Sequence, residues 1–83
     1  MDAKTQFGGR KKHPSQAELG GLLGYYQNRR YADAEKLGRS ITQRFPLHQL
    51  SWKVLGAALN QARKFQESLI PNQKAVDLDP KDA

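Results

Sequence analysis

This 83-residue sequence predicts an all-α fold of two antiparallel helix hairpins. Three observations carry that expectation. First, Pro46 and Pro80 stand 34 residues apart. The same interval aligns Tyr31 with Phe65, Ala34 with Ser68, Ile41 with Ala75, Tyr25 with Leu59, Gln27 with Gln61, and Arg29-Arg30 with Arg63-Lys64. A fixed period of this size marks a supersecondary unit stacked on its neighbour. Second, apolar residues recur at helical spacing through both units. Third, Ser15-Gln16-Ala17-Glu18 is a capping box, in which the Ser oxygen accepts a first-turn N–H and Glu18 reaches back to the cap N–H.

The elements follow in order. Residues 1–14 lack apolar periodicity and hold Gly8-Gly9, the triplet Arg10-Lys11-Lys12 and Pro14, with Phe7 the only large apolar side chain. This composition predicts a disordered basic leader. The two-unit domain spans 15–82, with the first unit at about 15–48 and the second at about 49–82. Pro14 blocks upstream extension of the first helix. Leu19, Leu22, Leu23 and Tyr26 then fall at i, i+3, i+4 and i+7. That helix ends near Asn28, a residue that tolerates the left-handed conformation of a tight turn.

Tyr31, Ala34, Leu37, Ile41 and Phe45 define the second helix, which Pro46 stops. Asp33 and Glu35 suit its positive end, Arg39 and Arg44 its negative end. The third helix runs from about Gln49 to Ala62 on Trp52, Leu55, Leu59 and Ala62. The fourth starts near Phe65, with Leu69, Val76 and Leu78 expected on its inner side, and ends at Asp79-Pro80. Pro71 conflicts with that helix, because it removes a backbone donor and crowds the carbonyl of Glu67. A kink at Pro71 or a late helix start resolves the conflict, and the kink keeps Phe65 and Leu69 packed as Tyr31 and its neighbours are.

Composition limits function. A chain of this length buries a modest core, on the order of 3–5 kcal/mol of net stability. It has no cysteine, so disulfides and thiolate metal sites are excluded. The longest uncharged run, Leu19 to Asn28, is about half of what spans a bilayer. No apolar stretch of a secretory signal stands at the start. The expectation is a cytoplasmic protein. Of the net charge of +6, half comes from Lys4, Arg10, Lys11 and Lys12 against Asp2. This permits weak, salt-sensitive attraction to nucleic acid, although three adjacent basic residues are a small footprint.

The second unit carries Trp52, Leu55-Gly56, Leu59, Phe65, Ser68, Asn72, Ala75 and Pro80; the first carries Leu22, Tyr25, Tyr31, Ala34, Ile41 and Pro46. In this pattern the chain resembles the tetratricopeptide repeat family over about residues 16–82. It departs from the family at Glu18, where the Trp would stand, at Gly21-Leu22, which inverts Leu-Gly, and at Asn72, in place of an aromatic. The resemblance implies a short right-handed superhelical array. In it, Gly56 and Ser68 are small where helices cross, Trp52 fills space against the preceding hairpin, and Tyr31 or Phe65 fixes the turn. The family's turn glycine is replaced by Arg29 and Arg63. Positive φ at a residue other than Gly costs ~1 kcal/mol, so rearranged turns are expected there.

The resemblance further implies a protein–protein interaction or assembly module that binds a peptide or helix of a partner on its concave face. The groove maps to Leu19, Leu23, Tyr26 and Gln27 in the first unit and Lys53, Ala57, Asn60 and Gln61 in the second. Lys53 matches one position of the family's carboxylate clamp, but Leu23 and Ala57 replace its key Asn. Leu19, Leu23 and Tyr26 admit three readings: core residues of a rotated helix, an apolar groove, or packing against another copy or domain.

No catalytic set, cofactor or metal is expected. His13 and His48 have no cysteine or carboxylate cluster to complete a metal site. Asp77, Asp79 and Asp82 read as a solvated helix end. Gly20-Gly21 and Gly24 lie inside a helix pattern and are not followed by Lys-Ser/Thr. Tyr25-Tyr26 beside Arg29-Arg30 suggests stacking on bases, but Tyr25 is needed in the core.

Two repeats leave one end of an array uncovered. Either the chain is an excised N-terminal part of a longer protein, the favoured expectation, or its open face is covered by self-association or by further repeats. The runs Tyr31-Ala-Asp-Ala-Glu-Lys-Leu and Gln73-Lys-Ala-Val-Asp-Leu-Asp-Pro look like repeat arrays at the N-termini of large bacterial proteins. Some of those are similar to O-linked N-acetylglucosamine transferases, and others continue into a sulfotransferase domain. That likeness suggests a non-catalytic, substrate-presenting region of such an enzyme as the alternative function. Nucleic-acid binding through the leader is the third.

Overall fold

The computed structural model describes residues 13–82, which form four α-helices and no strand: α1 (Gln16–Gln27), α2 (Tyr31–Arg44), α3 (Gln49–Gln61) and α4 (Phe65–Leu78), followed by a 3-10 turn at Pro80–Asp82. The expectations for the leader at 1–12 lie outside the described residues. Pro14, by contrast, is buried, and the ring of His13 meets that of His48 edge-on at 5.8 Å.

Local chemistry sets the helix ends. At the start of α1, Glu18 N–H donates to Ser15 Oγ at 3.1 Å, and Ser15 N–H donates to Glu18 Oε1 at 3.3 Å. At its end, Arg30 N–H reaches Tyr25 O (2.8 Å) and Arg29 N–H reaches Tyr26 O (3.1 Å). This is the Schellman closure, which needs a left-handed residue after the cap. That residue is Arg29, at φ 62°, while Asn28 stays at φ −90°. The second hairpin repeats the closure 34 residues on: Lys64 N–H to Leu59 O (2.8 Å), Arg63 N–H to Asn60 O (3.0 Å), and Arg63 at φ 65°. The turns are therefore not rearranged. Two arginines hold the glycine conformation, because the hydrogen-bonded closure and the docking of the next helix outweigh a local cost of ~1 kcal/mol.

The core joins the two hairpins. Leu22, Ala34, Ile41, Val54 and Ala58 form a buried cluster, and Leu55 and Leu59 are also inaccessible. The departure at Gly21-Leu22 has a packing solution. In the second hairpin, a Cβ on Gly56 would lie 2.0 Å from Asn72 Oδ1 and 3.3 Å from the Asn72 backbone nitrogen. In the first hairpin the aligned pair is Leu22 and Gly38, and a Cβ on Gly38 would lie 3.6 Å from Leu22 Cδ1. Bulk has moved from one helix to the other across the same crossing. Gly38 also admits α3 closely, since its missing Cβ would sit 3.2 Å from Leu55 Cβ.

The fourth helix keeps its expected bounds but overturns the expectation for its inner face. It begins at Phe65 and continues through Pro71, so the late start is not adopted. Its buried residues are Ser68, Pro71 and Ala75. Leu69, expected inside, is 65% exposed, Val76 is 40% exposed and Phe65 57% exposed, while Leu78 is half-buried. The reason lies in the partners. Tyr31 meets Tyr26 edge-on at 5.7 Å, but the residue aligned with Tyr26 is Asn60, so Phe65 has no ring to pack on. Leu69 and Val76 align with Glu35 and Thr42, which the second hairpin covers; among the described residues nothing covers α4 in that way.

Candidate interaction surfaces

The residues assigned to a groove fall into two groups. Gln27, Lys53, Asn60 and Gln61 are exposed, whereas Leu19, Leu23, Tyr26 and Ala57 are half-buried. Leu23 and Tyr26 pack against the core cluster, so their inner sides are structural and only their rims reach solvent. Tyr25 also packs there, and Arg30 lies over its ring at 5.4 Å. Gly20, Gly21 and Gly24 are all helical residues of α1.

A second surface lies where α2, α3 and α4 meet. Arg39, Thr42, Gln43, Trp52, Leu55, Glu67, Ile70 and Pro71 line a hollow of about 440 Å³. Trp52 shapes one wall, its indole N–H donating to Pro46 O at 2.7 Å. An indole that has found its hydrogen-bond partner presents an apolar face. Pro71 has no N–H to give Glu67 O, so a backbone acceptor is freed at the edge of this hollow. Ile70, 68% exposed, stands at its rim.

Charges fasten the hairpins together. Lys64 Nζ lies 3.0 Å from Glu35 Oε1, Arg39 Nε 2.9 Å from Glu35 Oε2, and Arg39 Nη2 3.0 Å from Glu67 Oε1. Burial alone would disfavour the Glu35 carboxylate. Hydrogen bonds from Lys64 and Arg39, with their charges, outweigh it and hold the pKa below its ordinary value. At the first hairpin, Glu18 aligns with Trp52 of the second. Its carboxylate pairs with Arg44, whose hydrogen bond is the chief cause of a lowered pKa. The sequence signals for these pairs were the i,i+4 spacing of Glu35 and Arg39 and the Glu18 departure itself. The links between hairpins needed the fold.

His48 caps α3. Its Nδ1 accepts from Ser51 N–H at 3.4 Å and meets Ser51 Oγ at 2.8 Å. Burial, and secondarily His13, keep its pKa below the ordinary 6.5. A ring accepting at a helix N-terminus is neutral, since a proton on Nδ1 would end the bond and oppose the helix dipole. Asp77 accepts from Gln73 Nε2 at 2.9 Å, and Asp79 is the C-cap of α4. Among the described residues no three His, Cys, Asp or Glu side chains are grouped to hold a metal ion, and no helix is long and apolar enough to cross a membrane.

No protein-family model matches the chain, and no curated protein or solved structure matches it significantly.

Proposed function

We propose that this chain is a protein–protein interaction or assembly module of the tetratricopeptide kind, cytoplasmic and non-catalytic. One observation carries the reading: α4 is built inside out. It buries Ser68, Pro71 and Ala75 and leaves Phe65, Leu69, Ile70 and Val76 in solvent. A helix that spends its small residues on the core and its large apolar residues on water is arranged for contact with another macromolecule. The duplicated left-handed turns and the duplicated helix crossings support the family reading, because they repeat at the period of the sequence.

The α1–α3 face supplies a further docking strip. Its exposed amides and Lys53 lie beside the half-buried rims of Leu19, Leu23, Tyr26 and Ala57. Such a mix of apolar rims and polar donors suits an extended peptide or a partner helix. Selection of peptides from a displayed library against the full chain tests this. Selected peptides should bind the parent and lose at least about tenfold in affinity against Asn60→Arg, a change worth about 1.4 kcal/mol. Selection that yields nothing, together with steeply salt-dependent binding of nucleic acid by the full chain, would overturn the reading.

A further inference from the structure

On α4, Phe65, Leu69, Asn72 and Val76 are spaced by four, three and four residues. This is the narrow stripe of a two-helix seam, and a broad core-facing stripe has a different spacing. The stripe lies beside the buried line of Ser68 and Ala75, and about a quarter turn or more from Ile70 and the hollow over Trp52. The 34-residue alignment shows what such a stripe does within this molecule. Its counterparts on α2 are Tyr31, Glu35, Gly38 and Thr42, the face onto which the second hairpin packs. There the seam is stitched by charge, with Glu35 and Arg39 reaching Lys64 and Glu67. On α4 the aligned residues are Leu69 and Gln73. The uncharged stripe, apolar at Phe65, Leu69 and Val76, is therefore not a copy of the internal seam.

We infer that the Phe65–Leu69–Asn72–Val76 stripe of α4 is a self-complementary seam on which a second copy of this chain docks, the two α4 helices running antiparallel about a two-fold axis. Two features select this occupant. In an antiparallel pair the stripe matches itself, Phe65 against Val76 of the other copy and Leu69 against the exposed edge of the half-buried Asn72, whose amide rests on Gly56 of α3. The two ends of α4 also differ in net charge: Arg63, Lys64 and Glu67 stand at its start, and Lys74, Asp77 and Asp79 at its end. Antiparallel pairing sets basic end against acidic end at both extremities, and opposes the helix dipoles; parallel pairing sets like against like. The seam is about 17 Å long and small beside the roughly 800 Å² per partner of a standard interface. The dimer is accordingly weak and concentration-dependent.

This inference rests on the association reading above, but its test is separate from peptide binding. Sedimentation velocity from about 10 µM to about 1 mM should show a reversible monomer–dimer equilibrium in that range. Leu69→Glu changes an exposed side chain, so far-UV circular dichroism and Tm should hold while dimerisation weakens at least about tenfold, the cost of placing charge in an apolar seam. Ile70→Glu is the matched control. It is equally exposed but off the stripe, and should dimerise as the parent does. In the cysteine-free background, Phe65→Cys combined with Val76→Cys should oxidise to a covalent dimer faster than Phe65→Cys alone. A monomer throughout, assembly beyond two copies, equal loss in Leu69→Glu and Ile70→Glu, or faster cross-linking of Phe65→Cys alone would each overturn the seam. Peptide binding to the α1–α3 face, measured on the same samples, shows whether the broader reading falls with it.

Discussion

Adding one methyl group at Gly56 and at Gly20 should move stability in opposite directions. Both glycines are inside helices, so Gly→Ala at either site gains about 1 kcal/mol of helix propensity. At Gly20 nothing lies within 4 Å of the added Cβ, and the gain should appear whole. At Gly56 the Cβ would meet Asn72 Oδ1 at 2.0 Å, Cγ at 2.9 Å and the backbone nitrogen at 3.3 Å. The amide can swing away, but the α4 backbone must also yield by a few tenths of an ångström. Overpacking of this sort costs about 1–3 kcal/mol. The net expectation for Gly56→Ala is a loss of about 1 kcal/mol, and for Gly20→Ala a gain of about 1. In a domain this small each kcal/mol moves Tm by roughly 4–8 °C. Thermal and urea unfolding followed by circular dichroism resolves such differences. Adding Asn72→Ala to Gly56→Ala should recover about 1 kcal/mol beyond additivity, because it removes the two nearest atoms of the clash. If Gly56→Ala stabilised as much as Gly20→Ala, with additive double-mutant behaviour, the close crossing of α3 and α4 would be refuted.

Three further outcomes follow from the same geometry. Arg63→Gly should stabilise by about 0.5–1 kcal/mol, since glycine adopts φ 65° without strain and loses part of that gain to unfolded-state entropy; unfolding measurements showing a loss would mean that the arginine side chain outweighs its backbone. Pro71→Ala restores a donor to Glu67 O and should raise stability by about 1–2 kcal/mol, the helix-breaking cost of about 3 less the packing of the buried ring. The third concerns pH: because the folded pKa of His48 is depressed, the unfolded chain binds the proton more readily. Its contribution is intact above the ordinary value of 6.5 and is lost as pH falls below it toward the folded pKa. His48→Asn keeps an N-cap acceptor and should flatten that slope of stability against pH; an unchanged slope would count against the cap.

Much of the fold was legible because it is written in local chemistry. Ser15 and Glu18, Pro46 and Asp79-Pro80 act within a few residues of themselves, and the helices begin and end beside them. The faces of α1 and α4 were harder to read. Periodicity gives the angle of an apolar stripe around a helix but not what stands opposite it. Leu69 and Val76 form a sound stripe with no partner among the described residues, while Ser68, Pro71 and Ala75 take the core because small groups let α3 approach. Leu22 looked misplaced for the same reason, since its compensation, Gly38, is on another helix. Arg29 and Arg63 stand where the turns need a left-handed residue, and a cost of ~1 kcal/mol each is too small to bar that conformation once the closure and the next helix are in place.

The two hairpins are fastened at both ends of α2 by unlike means. Near its C-terminus Trp52 holds the Pro46 carbonyl; toward its N-terminus Glu35 and Arg39 hold Lys64 and Glu67. Salt screens exposed ion pairs over a Debye length of roughly 8 Å at physiological ionic strength, and leaves a hydrogen bond to a carbonyl nearly untouched. Rising ionic strength therefore weakens the ion pairs and spares the Trp52 bond, while the buried cluster that joins the hairpins keeps them packed. Salt should thus trim the stability of the two-hairpin unit without changing how its hairpins pack.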